Sequence, residues 1–161
     1  MKYIQLENNL QLNNNISPLS PTYKGRNVLA LELLSHKMDS EKTYLCLKEK
    51  IKSKTNTQED IFLAGYCLFN LGLIEDTNGN YKKAINYYRK SAVFNNYKAL
   101  INIVFHFNRI KKTRKNKKYV DTLLSFYIKK LNNIFINYKY NIKIKYIEKV
   151  KDILDSFKHL L

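Results

Sequence analysis

Three histidines, two cysteines and one acidic pair are the residues here whose side chains most readily make or break bonds. His36, His106 and His159 stand far apart, and no His-x-x-Glu-His or Cys-x-x-Cys spacing brings metal-ligating types together. His106 lies between Phe105 and Phe107, which predicts a packed or helix-end imidazole. Cys67, between Tyr66 and Leu68 in an apolar run, reads as an inert core thiol rather than a nucleophile. Glu75-Asp76 precede a turn, so two solvated carboxylates are expected there and not an acid–base pair. The 4 glycines (Gly25, Gly65, Gly72, Gly79) are scattered, so no loop can cradle a phosphate. The expectation is a non-enzymatic protein with no cofactor, no metal and no small-molecule substrate.

Charge is the other candidate for function. The chain has 161 residues and a net charge of +16. Its 25 Lys, 20 Asn, 16 Ile and 13 Tyr all have A/T-rich codons, and Lys outnumbers Arg 25 to 4. Arg is the better residue for bidentate phosphate or guanine recognition, so drift in an A/T-rich genome explains much of the excess. Drift does not explain its placement: residues 105–161 carry a net +11, and residues 1–104 only +5. Six cations fall within 111–118, at Lys111, Lys112, Arg114, Lys115, Lys117 and Lys118. That loop, with the Tyr/Lys alternation at 138–146, could contact a polyanion, or could simply be solvated.

The elements that position these residues are predicted to be helical. Residues 1–24, with Asn8-Asn9, Asn13-Asn14-Asn15, Pro18 and Pro21, read as a weakly ordered polar arm before a helical domain over 25–161. No apolar run at the N-terminus suits a signal peptide. Apolar spacing predicts helices over 26–38 and 41–52, the second opened by Asp39-Ser40 as N-cap. Thr57 with Glu59 and Asp60 starts a helix whose run from Ile61 to Ile74 is nearly all apolar. Fourteen residues span about 21 Å, short of the ~20 residues a bilayer needs, so no transmembrane segment is expected. Further helices are predicted over 81–94, 97–110, 120–138 (Leu124, Ile128, Leu131, Phe135, Tyr138 inward) and 142–161 (Tyr146, Val150, Ile153, Phe157, Leu160 inward). Strict alternation over 138–146 has a strand's period, but a lone strand would leave its backbone unpaired, so a junction between helices is expected.

The stretch from Leu68 to Ala92 resembles a tetratricopeptide repeat. Its matching residues are Leu71-Gly72 in the first helix, Gly79-x-Tyr81 at the turn, and Ala84 and Tyr88 in the second. Gly72 and Ala84 would let two backbones approach, and Tyr88 would fill the groove between them. Lys83-Ala84, Tyr87-Tyr88, Lys90-Ser91-Ala92 and Ala99 are similar to the related SEL-one-like repeats. Asn95 stands where that family has Gly, Tyr87 where it has Trp, and Glu75 where tetratricopeptide motifs carry an aromatic. The likeness covers residues 67–99. Ala99, Ile103 and Phe107 could open a second, eroded repeat, with Tyr119, Thr122 and Phe126 in its second helix.

The resemblance implies antiparallel helical hairpins stacked as a short solenoid, with flanking helices capping a repeat that cannot bury its own face. It also implies a concave groove for a peptide or partner helix, with Asn70, Asn102 and His106 as polar members of that surface. Small plastid photosystem-assembly factors have a similar central repeat, matched at generic repeat positions only. Two functions therefore stand open: a scaffold or assembly factor that binds another protein, and a basic helical protein associated with RNA or the ribosome. Either would be soluble and intracellular.

Overall fold

A computed structural model describes residues 23–110, 112–139 and 142–161, with side chains from Lys37 onward. Six helices follow one another: α1 (Tyr23–Lys52), α2 (Gln58–Thr77), α3 (Tyr81–Val93), α4 (Tyr97–Arg109), α5 (Lys117–Asn137) and α6 (Ile144–Ser156). A 3-10 turn at Lys158–Leu160 ends the chain. No strand occurs among the described residues, and each helix packs mainly on its neighbours in sequence. The fold is all-α, a stack of helical hairpins. The predicted arm over 1–24 lies outside the described residues except for Tyr23 and Lys24, which open α1.

The α2–α3 hairpin forms as its residues dictate. Thr57 makes a full capping box: its Oγ1 accepts from the Asp60 N–H at 3.2 Å, and its own N–H donates to Asp60 Oδ2 at 2.9 Å. Gly79 turns the chain with φ of +77°, a conformation glycine adopts freely. Leu71, Ala84, Ala92 and Ala99 are buried, whereas Tyr81 stands exposed at the start of α3. A Cβ on Gly72 would lie 2.5 Å from Cδ1 and Cε1 of Tyr88, so this glycine makes room for the ring. Tyr88 is 1% exposed, and its hydroxyl donates to Asp76 Oδ2 at 3.1 Å. Ser91 is buried as well and donates to the Gly65 carbonyl at 2.6 Å, tying α3 to α2. After α3, Asn95 takes the left-handed conformation (φ 58°), which asparagine and glycine tolerate best.

Two expectations are corrected. The helices predicted over 26–38 and 41–52 are one 30-residue helix. Neither Gly nor Pro lies between them, and mid-helix Asp39 and Ser40 each cost only about 0.5 kcal/mol in propensity. Packing along α2 outweighs that, pinned by Lys37–Glu75 at 2.7 Å and Lys50–Asp60 at 3.5 Å. Secondly, Glu75 is not solvated. It is 3% exposed, and its other oxygen accepts from Asn80 Nδ2 at 2.8 Å. The Lys37 hydrogen bond outweighs desolvation and holds the Glu75 carboxyl below its usual range. Tyr119, Thr122 and Phe126 lie in α5, the helix that follows α4, and all are exposed. The core takes Val120, Leu124, Tyr127, Ile128 and Leu131 instead, with Tyr127 stacked on Phe107 at 6.0 Å.

The core continues into α6 through Tyr146, Val150, Ile153 and Phe157, as the spacing predicts, while Leu160 is half-buried. Phe135 is half-buried against the core, and only Tyr138 departs from the predicted inner row, being exposed. Tyr138, Lys139, Ile142 and Lys143 form the expected junction between α5 and α6.

Candidate interaction surfaces

The expected groove lies along α2 and α4, and α6 meets α4 beside it. Lys98, near the start of α4, places Nζ 5.8 Å from the Phe69 ring of α2 and 5.1 Å from the Tyr146 ring of α6. Tyr97 meets Tyr146 edge to face at 5.6 Å, and its hydroxyl accepts from the Lys143 N–H at 3.3 Å. Further along, Lys149 Nζ lies 5.4 Å from the Phe105 ring, so α4 and α6 run in the same direction. Aromatic faces make a buried ammonium tolerable here. A lysine opening a helix reads as surface in sequence, and no spacing signal marks Lys98 as buried.

The three predicted groove residues do not form one exposed row. Asn102 is 0% exposed, enclosed in a helix buried almost all round, and it offers no surface. Asn70 on α2 and His106 on α4 are half-buried. Burial pushes the His106 imidazole below its ordinary range, with the Asp76 carboxylate opposing and Arg109 adding to the effect. Cys67 is buried in α2, and desolvation raises its thiol, which fits an unreactive core position.

A pocket of about 130 Å³ with a mixed polar and apolar lining opens where the ends of α2, α3 and α5 meet. Ile61, Phe94, Tyr97 and Ile134 line it with the polar Gln58 and Asn95, and Phe62, Val93 and Tyr138 border it at 51%, 69% and 49% exposure. These rim residues come from three separate helix ends, so only the fold assembles them.

The third surface is cationic. An open groove of about 800 Å³ runs along α5 and is lined by Arg114, Lys117, Lys118, Asp121, Thr122, Ser125, Phe126 and Lys129. Of the six cations predicted over 111–118, Arg114, Lys117 and Lys118 line it, Lys115 is exposed outside the lining, and Lys111 lies outside the described residues. Lys112 is exposed, and its Nζ pairs with Asp121 Oδ1 at 2.7 Å, which ties the basic loop to α5. That hydrogen bond, helped by the charge of Lys117, lowers the Asp121 carboxyl. Lys129 and Phe126 join the groove by helical spacing. Lys129 is three turns from Lys118, a signal the sequence does carry.

Among the described residues, no three His, Cys, Asp or Glu side chains gather as a metal ion would require. No helix among them is long and apolar enough to cross a membrane. Comparisons with protein-family models, curated proteins and solved structures give no match to this chain. The tetratricopeptide likeness therefore stands on residues 67–99, and the class defined by the fold is a stack of helical hairpins.

Proposed function

We propose that the protein is a non-enzymatic scaffold of the tetratricopeptide type, an assembly factor that holds another protein. The observation that carries this reading is the pocket bordered by the exposed hydrophobic side chains Phe62, Val93 and Tyr138. Pockets flanked by clustered exposed hydrophobic side chains are where partner side chains anchor and where binding energy concentrates. The α2–α3 hairpin supports the reading independently, because Gly72, Ala84 and Tyr88 pack as the repeat pattern implies. In this reading the partner enters by the pocket at the ends of α2, α3 and α5. Asn70 and His106 border the neighbouring helix face, and Asn102 serves the core.

Affinity capture with the full chain tests the proposal. A protein client should be recovered reproducibly and lost on Phe62→Asp or Val93→Asp, while Lys82→Asp on the exposed side of α3 should retain it. Recovery of no client, or a client indifferent to Phe62 and Val93, would refute the scaffold reading.

A further inference from the structure

We propose that the α5 groove binds single-stranded nucleic acid, with phosphates on Arg114, Lys117, Lys118 and Lys129 and one base stacked on Phe126. The inference does not rest on the scaffold reading, because it uses a different surface. Of the groove's five charged side chains four are cations, and the fifth, Asp121, is already neutralised by Lys112 at 2.7 Å. The groove therefore presents an excess of about four positive charges to whatever enters it. Lys118 and Lys129 are eleven residues apart on α5, about 16 Å along the axis, so the cations form a track and not a point.

Phe126 is what selects the occupant. It is 59% exposed in the middle of this cationic track, and it turns away from the core that Leu124 and Ile128 enter. It meets the ring of its neighbour Tyr127 edge to face at 5.1 Å and 82°. An exposed ring between cations is the arrangement that takes an unstacked base while its neighbours hold the backbone. A duplex keeps its bases stacked and cannot use the ring; an acidic peptide could use the cations and would ignore it. The hydroxyls of Thr122 and Ser125 donate to the Lys118 and Leu160 carbonyls at 2.8 and 3.2 Å, which leaves their lone pairs to accept from base or sugar groups.

The test is fluorescence anisotropy with the full chain and a labelled twelve-residue oligouridylate between 50 and 200 mM salt. Four phosphate contacts on a single strand give a log–log salt slope of about −2.8, a weakening of roughly 50-fold over that range. Lys117→Gln with Lys118→Gln should halve the slope, and neutralising exposed Lys48 and Lys52 on α1 should leave it unchanged. Phe126→Ala should weaken binding roughly five- to 100-fold at every salt concentration and keep the slope. Phe126→Tyr should bind as the wild type does and Phe126→Leu should not, which separates stacking from any effect of Phe126 on folding. The proposal is overturned if Phe126→Leu binds as well as wild type, or if Lys48 and Lys52 matter as much as Lys117 and Lys118. Equal binding of a duplex of the same length, or of polyglutamate, would also overturn it.

Discussion

Adding one methyl group at Gly72 should destabilise the protein, against the usual preference for alanine in helices. An ideal Cβ there lies 2.5 Å from two carbons of the Tyr88 ring, whereas carbon atoms in contact sit about 3.5–4.0 Å apart. The ring would have to retreat by about 1 Å or more. It has little room to do so, because its hydroxyl is held by Asp76 at 3.1 Å and Phe69 lies beside it at 5.9 Å between centroids. The Ala84 carbonyl, 3.3 Å from the same Cβ, limits any sliding of the two helices. Overpacking of this kind costs up to about 3 kcal/mol, and replacing glycine within a helix returns about 1 kcal/mol. The net loss for Gly72→Ala is then about 2 kcal/mol, a fall in Tm of roughly 4–8 °C for a chain of this size. Urea denaturation should show a lower midpoint at unchanged m. In a Tyr88→Leu background the clash largely disappears, so the two substitutions should couple by about 1.5 kcal/mol or more. A Gly72→Ala variant that melts at or above the wild type, or a coupling below about 0.5 kcal/mol, would refute the packing argument.

Three other predictions concern single features. Asn95, at φ 58°, should tolerate Gly and resist Val: Asn95→Gly changes stability by a few tenths of a kcal/mol at most or raises it, and Asn95→Val lowers it by about 1–2 kcal/mol in thermal melts. The lowered Glu75 carboxyl and lowered His106 imidazole both bind protons more tightly when unfolded, so stability falls as pH drops, first through the histidine range and then through the carboxylate range. Thermal melts between pH 7 and 3 should show the later part of that loss reduced in Glu75→Gln, and an equal loss in both proteins would contradict the buried ion pair. A thiol reagent should modify exposed Cys46 at once and buried Cys67 only in denaturant; two fast thiols in the native protein would contradict the burial of Cys67.

The parts of the fold legible in the sequence are those set by local chemistry. Thr57 with Asp60, Gly79, and the Gly72–Ala84 pair each specify a cap, a turn or a close approach through their own residue types. Where the deciding interaction is tertiary, local reading goes astray. Asp39-Ser40 resembles a cap in isolation, but the Lys37–Glu75 and Lys50–Asp60 pairs keep α1 continuous along α2. Asn102 reads as a surface residue because asparagine is common throughout this chain, 20 in 161, so its type says little about depth. On α5 the Leu124, Ile128, Leu131 row is readable from its spacing, whereas the Tyr119, Thr122, Phe126 row has helical spacing too and only packing against Phe107 decides between them. Lys112 was indistinguishable from its basic neighbours until α5 brought Asp121 to within 2.7 Å.

Both proposed surfaces draw on α5, and that shared helix makes them separable by experiment. Its first half carries Lys117, Lys118 and Phe126, while Ile134 lies in its second half and Tyr138 just beyond it, at the pocket bordered by Phe62 and Val93. Phe126 and Ile134 are eight residues apart, about 12 Å along the axis, and the core residue Leu131 anchors the helix between them. Substitutions at Phe62 or Val93 lie on α2 and α3, remote in sequence from the groove, and should act independently of those at Phe126. A variant such as Val93→Asp that loses its protein client and keeps its salt-dependent oligonucleotide binding would assign one partner to each end of α5. Loss of both activities from either single substitution, in a protein that still folds, would mean one shared surface and would contradict the separation the helix imposes.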